Sequence, residues 1–391
     1  MKILIYLIIL LVVGCSTKMD DSSYHEFFVN FDRMKDSEDS EFFIDRLASC
    51  HLVQLETNEN CLIGQIRKVI VRSDRIFILD EDIAMSVFIF DEHGNWINTI
   101  SRFGRGPEEY LEVTDIYYDD ENQQLCLLCR SNRKIMMFDR DGQYNRQEEL
   151  PGIFKHIEKT ENGYVVNAKN TRTSLQLRSN IVLLSPDFSV QNMFFPISDL
   201  WQSINLKSST DFSTYKDKLY YFPVLDYNVY RITKDSISTA FSYDFGKHNL
   251  PEDWKFPDYF IPPLRINIME RQTYISGISF FKETDKYFIC AVLFDGSTKL
   301  VFSSKEDKST YPVTLHRNPF AHSVSFGSFS TITDDFIITY VQAESILSVM
   351  NDEKGWFADD VEGKKFLNRE ITRKISDRIE ENPILCFYKL K

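Results

Sequence analysis

The sequence predicts an all-β fold: a six-bladed β-propeller of four-stranded antiparallel blades, the last blade closed by the N-terminal strand and carrying one inserted helix. Three observations lead there. Short runs rich in Phe, Tyr, Ile and Val alternate apolar and polar residues between polar turns, which is the strand pattern. One such run recurs six times, as DRIFIL, NQQLCLL, ENGYVVN, KDKLYYF, TDKYFICA and TDDFIIT. Taking Ile76, Leu125, Tyr164, Leu219, Tyr287 and Phe336 as equivalent, the spacings are 49, 39, 55, 68 and 49 residues. A four-stranded blade takes about 40–50 residues, with excess length going into loops. Finally, the two ends of the chain complement each other, as shown below.

The clearest unit divides into strands at 66–71, 75–80, 85–90 and 95–100, with small and polar residues at the turns. VTDIYYDDENQQLCLLCRSNRKIMMFDRDGQYNRQEEL repeats the order. The sixth unit supplies SFSTIT, FIITYV and, after an insertion, NPILCFYKL, and then lacks a fourth strand. CHLVQLE, residues 50–56, precedes the first unit and can fill that place, which would remove an open sheet edge. Within the insertion, Leu367, Ile371, Ile375 and Ile379 share one helical face over 364–382, and Pro383 ends the run.

The N-terminus has a separate purpose. Lys2 is followed by an apolar run of eleven residues, Ile3 to Val13, then Gly14 and Cys15. Eleven is short of the roughly 20 residues that span a bilayer, and the order is that of a secretory signal. The junction resembles the bacterial lipoprotein box. That resemblance implies cleavage after residue 14 and a lipid on Cys15, hence a membrane partner. Residues 15–41 then read as a polar tether; a flexible chain of about 27 residues reaches about 30 Å. Asp20 and Asp21 resemble the surface-export signals of Bacteroidetes lipoproteins. The propeller is expected over 42–391.

The formal net charge of −13 excludes a nucleic-acid partner of the usual kind, which presents a basic patch. Besides Cys15 there are Cys50, Cys61, Cys126, Cys129, Cys290 and Cys386, sparse for the length and mostly inside apolar strand runs, so buried free thiols are expected. Cys126 and Cys129 have the spacing of half a zinc site. Three apart on a strand, however, they face opposite ways and cannot share a metal.

FGRGPEEY, residues 103–110, links the first unit to the second, on the face that also carries every second-to-third turn. FGKHNLPEDW, residues 245–254, echoes it three blades on. A repeated element suits a structural joint. Gly104, Gly106 and Gly246 would allow tight turns, and Pro107 and Pro251 would start the next segment. Glu108 would sit near a helix N-terminus, and Tyr110 and Trp254 would seal the gap between blades. The competing reading points Arg102 and Arg105 into the funnel as anion ligands. On the same face the turns supply Asp80, Glu81, Asp82, Arg130, Arg133, Lys134, Lys169, Arg172, Asp226, Tyr227, Asn228 and Asp295. From these the candidate ligand residues are Arg102, Arg105, Arg133, Lys134, Asp226, Tyr227 and Asn228.

With the lipoprotein box, the blade pattern, FGRGPEEY and LDYNVYRI (225–232), the chain over 50–391 resembles the six-bladed propeller lipoproteins of Bacteroidetes, related in fold to NHL-repeat and TolB-like propellers. The resemblance implies a fold and an outer-membrane, cell-envelope address, and no single activity.

Enzyme motifs are sparse. There is no GxSxG, HExxH or P-loop, and no cofactor signature. Ser213 and Lys216 match Ser-x-x-Lys beside a strand, where the acyl-transfer enzymes need a helix start. Asp91 to Gly94 and Asp139 to Gly142 read as hairpin turns rather than calcium loops. The expected function is a non-enzymatic binding or scaffold propeller for a peptide, glycan or envelope protein. The rival is a metal-dependent hydrolase or lyase using axial carboxylates such as Asp115.

Overall fold

A computed structural model describes residues 24–31, 46–72, 74–171, 177–197, 210–223, 225–251, 274–314, 328–342 and 382–391. Strands β1 (His25–Phe28) and β2 (Leu47–Gln54) precede the ring. Blade one is β3 (Lys68–Arg72), β4 (Arg75–Asp80), β5 (Ser86–Asp91) and β6 (Trp96–Ile100). Blade two is β7 (Asp115–Asp119), β8 (Gln124–Cys129), β9 (Lys134–Asp139) and β10 (Tyr144–Glu149). Blade three is β11 (His156–Thr160), β12 (Gly163–Asn167), β13 (Ser179–Leu184) and β14 (Val190–Pro196). Blade four is β15 (Phe212–Tyr215), β16 (Lys218–Tyr221), β17 (Asn228–Ile232) and β18 (Ile237–Asp244). Blade five is β19 (Ile278–Glu283), β20 (Tyr287–Phe294), β21 (Ser297–Ser304) and β22 (Thr310–Thr314). β23 (Ser328–Ile332), β24 (Phe336–Val341) and β25 (Ile384–Leu390) begin blade six.

Six antiparallel sheets make the ring, as the repeat predicts. The middle strands β4, β5, β8, β9 and β12 are buried over nearly their whole length, because a blade is covered by neighbours on both faces. Outer strands are less covered: β10 carries mostly polar side chains, and β14 leaves Val190, Gln191 and Met193 exposed. The 3–4 hairpins of blades one and two share one turn. Asp91 Oδ1 accepts from the His93 and Asn95 amides, and Asp139 Oδ1 from those of Asp141 and Gln143. Gly94 and Gly142 both stand at φ +85°, a conformation that glycine adopts at no steric penalty.

Closure follows the sequence reading. β2 pairs antiparallel with β25, Cys50 opposite Tyr388 and Gln54 opposite Ile384, giving blade six the order β2-β25-β24-β23. Asn382 fastens the joint: its Oδ1 accepts from the Ile63 amide at 2.8 Å, and its Nδ2 donates to the Glu56 and Cys61 carbonyls, each at 2.8 Å. The helix expected over 364–382 lies, but for Asn382, outside the described residues.

One element differs from the sequence reading. Part of the segment expected to be a flexible tether forms β1, which pairs in parallel with β18 as a fifth strand of blade four. The physical reason is burial. Phe27, Val29 and Phe31 alternate inward and are 5%, 0% and 5% exposed, packed against blades four and five.

Among the described residues the buried apolar side chains form six clusters, one at each junction between blades. The core of this molecule is therefore a ring of seams rather than one centre. Ion pairs or hydrogen bonds cross the same seams. Lys68–Asp115 (2.7 Å), Arg72–Asp120 (3.2 Å) and Arg75–Asp141 (2.9 Å) join blades one and two. Lys159–Asp119 (2.7 Å) joins two and three, Lys218–Glu283 (3.0 Å) four and five, and Lys282–Asp334 (2.7 Å) five and six.

Candidate functional site

The connection from 102 to 110 is closed by its own side chains. Tyr110 is fully buried, and its hydroxyl lies 2.9 Å from the Met85 carbonyl and 3.0 Å from that of Ile100. Its amide donates to the Arg102 carbonyl and its carbonyl accepts from the Gly104 amide. Glu109 folds back to accept from the Gly106 amide at 2.6 Å. A Cβ on Gly104 would stand 2.0 Å from that carboxylate, so a side chain there would displace the Glu109 arm from its bond to the loop. Glu108 pairs with Arg102 at 2.7 Å, and Arg102 lies over the rings of Tyr144 and Phe138.

The echo at 245–251 is not a structural copy. Phe245 is 1% exposed whereas Phe103 is 60% exposed. Gly246 opens a short 3-10 turn, Gly246–His248, at φ +60°, and Asp244 and Asn249 hold that turn through the Gly246 and Phe245 amides. Pro251 follows it, and Trp254 lies outside the described residues.

Most side chains picked from the sequence as ligand contacts are engaged by the protein itself. Lys134 is buried, bonded to Gln147 at 2.8 Å and to the Pro107 carbonyl at 3.1 Å, and burial lowers its pKa. Asp226 accepts from the Asn228 amide and side chain and from the Tyr230 hydroxyl at 2.8 Å. Tyr227 donates to the Ile275 carbonyl at 2.7 Å and accepts from the Leu250 amide. Arg105 and Arg133 are exposed and make no ion pair among the described residues. Arg133 is held at φ +49°, and Met85, Lys169, Leu225 and Asp295 on the equivalent turns also stand at positive φ.

Nearer the axis, the first strands bring together a chain of charges that the sequence did not assemble. Asp115 accepts from Lys68 and, at 2.9 Å, from the Ile157 amide of blade three. His156 sits between two carboxylates, Nδ1 3.5 Å from Asp115 Oδ2 and Nε2 3.7 Å from Asp211 Oδ2. Asp211 in turn takes Asn167 Nδ2 at 2.8 Å and Lys169 Nζ at 3.4 Å. Burial would raise the Asp115 carboxyl, but Lys68 and His156 outweigh it and hold the pKa below the usual range. Four blades are thereby laced at the upper end of the axis. Burial dominates at Lys155 instead and lowers its pKa, helped by the charges of Arg130 and Lys169.

Two adjoining cavities lie toward the other face, where the 1–2 and 3–4 turns are. One, about 960 Å³, follows the axis past Lys68, Arg72, Glu158, Thr214, Lys282 and Thr331. The other, about 900 Å³, runs between blades three and four, lined by Glu158, Glu161, Lys218, Arg231 and Lys234 among others. Arg72, Tyr118, Asp120, Glu158, Thr214 and Lys216 border both. None of the seven residues picked from the sequence lines either one. Glu158 has its pKa raised by burial against the pull of Lys68, with Asp115 adding to the rise.

Cys126 faces the cluster between blades two and three, and Cys129 the cluster between one and two, so the pair does point opposite ways. Both thiols, with Cys61 and Cys386, are pushed by burial to a pKa of about 12. Among the described residues no group of three His, Cys, Asp or Glu side chains is placed to hold a metal ion.

The chain is similar in fold to a protein described as exported from Bacteroides fragilis NCTC 9343. Identity is 17% and the TM-score 0.73, over 94% of this chain and 100% of the other. A DUF4221-family protein from Bacteroides vulgatus is more distant, at 9% identity and a TM-score of 0.48 over 88% and 96%. So is a virginiamycin B lyase from Staphylococcus aureus, at 12% and 0.43 over 70% and 76%. No curated protein matches the sequence. Residues 30–389 match the family described as "Domain of unknown function (DUF4934)", and the chain belongs to that family.

Proposed function

We propose that this member of the DUF4934 family is an envelope-associated lipoprotein, anchored through Cys15, that works as a non-enzymatic binding or scaffold propeller for a peptide, glycan or envelope protein. The observation that carries the reading is how the axial charges are used. Lys68, Asp115, Asp211 and Lys169 are committed to one another across blades, while two cavities of about 900 and 960 Å³ lie beside them with charged residues of both signs in their walls. Volumes of this size suit ligand docking. The secretory start of the sequence and the exported relative support the envelope address.

A photo-crosslinking residue at Lys216, on the wall common to both cavities, tests this in the native envelope. A discrete peptide, glycan or protein adduct is the expected result. No adduct, together with a near-stoichiometric divalent ion in the purified chain, would shift the reading to the rival hydrolase or lyase. For the anchor, Cys15→Ala should move the protein from the membrane to the soluble fraction, and unchanged retention would refute the lipid.

A further inference from the structure

The position of β1 bears on how the disc meets a membrane. If Cys15 carries a lipid, the chain between anchor and ring is not the 27-residue tether of the sequence reading. Phe27 packs against Phe241, Tyr243 and Phe288, and Phe31 against Phe245 and Phe294, so the chain is fastened to the rim over residues 25–31. Nine residue steps separate Cys15 from Tyr24. Fully extended they reach about 30 Å, and as a flexible coil about 17 Å, which keeps the anchored edge within a few headgroup depths of the lipid. The disc is therefore tethered close to its membrane, and it is held by one edge.

That edge has the chemistry of an interfacial surface. Beside the buried Phe27, the ring of Phe28 in β1 is 60% exposed and that of Tyr24, just before the strand, 48%, with His25 and the acidic Glu26 also exposed on the same edge. A Cβ on Gly246 would meet the Phe28 ring at 3.5 Å, which places the ring beside the Gly246–His248 turn with its exposed Lys247. Tyrosine and other aromatic rings beside a lysine settle at the headgroup level of bilayers. The rest of the molecule gives no general attraction, since a net charge of −13 is repelled by anionic lipid.

We infer that the rim formed by β1, where blades four and five meet, rests on the lipid surface, so that the propeller stands edge-on. The inference rests on the proposed lipid at Cys15 and goes beyond it by fixing which side faces the bilayer. Edge-on seating leaves both faces of the ring, and the two cavities, open to the aqueous side.

The test uses the full lipidated chain in vesicles of phosphatidylethanolamine and phosphatidylglycerol carrying a doxyl-labelled lipid. A fluorophore is attached in turn at Tyr24→Cys, Phe28→Cys and, on the outer strand of blade three, Val190→Cys, with the unsubstituted chain as blank. Quenching several-fold stronger at positions 24 and 28 than at 190 is expected. Equal quenching at all three in a membrane-bound protein would overturn the orientation while leaving the lipid anchor standing. A chain that does not associate with the vesicles would overturn both.

Discussion

Tyr110 shows what a single residue does in the 102–110 link. With its ring fully buried and its hydroxyl facing two carbonyls, Tyr110→Phe removes the one hydroxyl donor that faces them. Urea unfolding should show a loss of about 1–3 kcal/mol. Pro107→Ala with Glu108→Ala should change stability by less than about 1 kcal/mol, because only an exposed ion pair to Arg102 is lost. The sequence singled out the tyrosine but could not tell Glu109, which bonds the Gly106 amide, from Glu108, which faces solvent. Lys134 was misread as a funnel cation for a related reason: its partners, Gln147 and the Pro107 carbonyl, come from other elements. Glu158 gives a prediction in pH. Its folded pKa is raised, so the ionised carboxylate destabilises the fold above that value and carries no penalty below the unfolded value of about 4.3. Glu158→Gln should therefore be more stable than wild type at pH 8 and match it near pH 4, measured by thermal unfolding at both. Equal stability at pH 8 would count against the desolvated carboxylate.

At the scale of elements, the middle strands were the most legible. Two-sided burial writes them as apolar runs such as RIFILD and KIMMFD, and every second strand falls where the repeat put it. β1 was missed although its signal is present, since Phe27, Val29 and Phe31 alternate with period two. Nothing local identifies its partner, because Phe27 pairs with Tyr243 far along the chain. Phe27→Ala should cost about 3 kcal/mol, and the loss should be local. Hydrogen exchange is expected to show β1 amides losing protection while blades one to three keep theirs. Unchanged protection would mean that β1 does not depend on its apolar face. The two related connections teach the converse lesson: Phe-Gly-basic recurs in sequence, yet one phenylalanine is core and the other is exposed.

For the whole molecule, the count of blades and their closure could be read from the chain, because both depend on strand number and order. The axial chain of charges could not, since its members Lys68, Asp115, His156 and Asp211 belong to different blades and meet only when the ring forms. The cavities were hidden for the same reason, and they open on the face opposite the one favoured by turn composition. The central claim is that these axial charges hold blades together and leave ligand recognition to the cavities. The most direct check is denaturant unfolding of Asp115→Asn at neutral pH, with Glu158→Gln as the companion. Asp115 is buried and paired, so removing its charge strands Lys68 and should cost about 3 kcal/mol, whereas Glu158→Gln should not destabilise. An Asp115→Asn protein as stable as wild type would contradict the account, and would return that carboxylate to the list of groups free for chemistry.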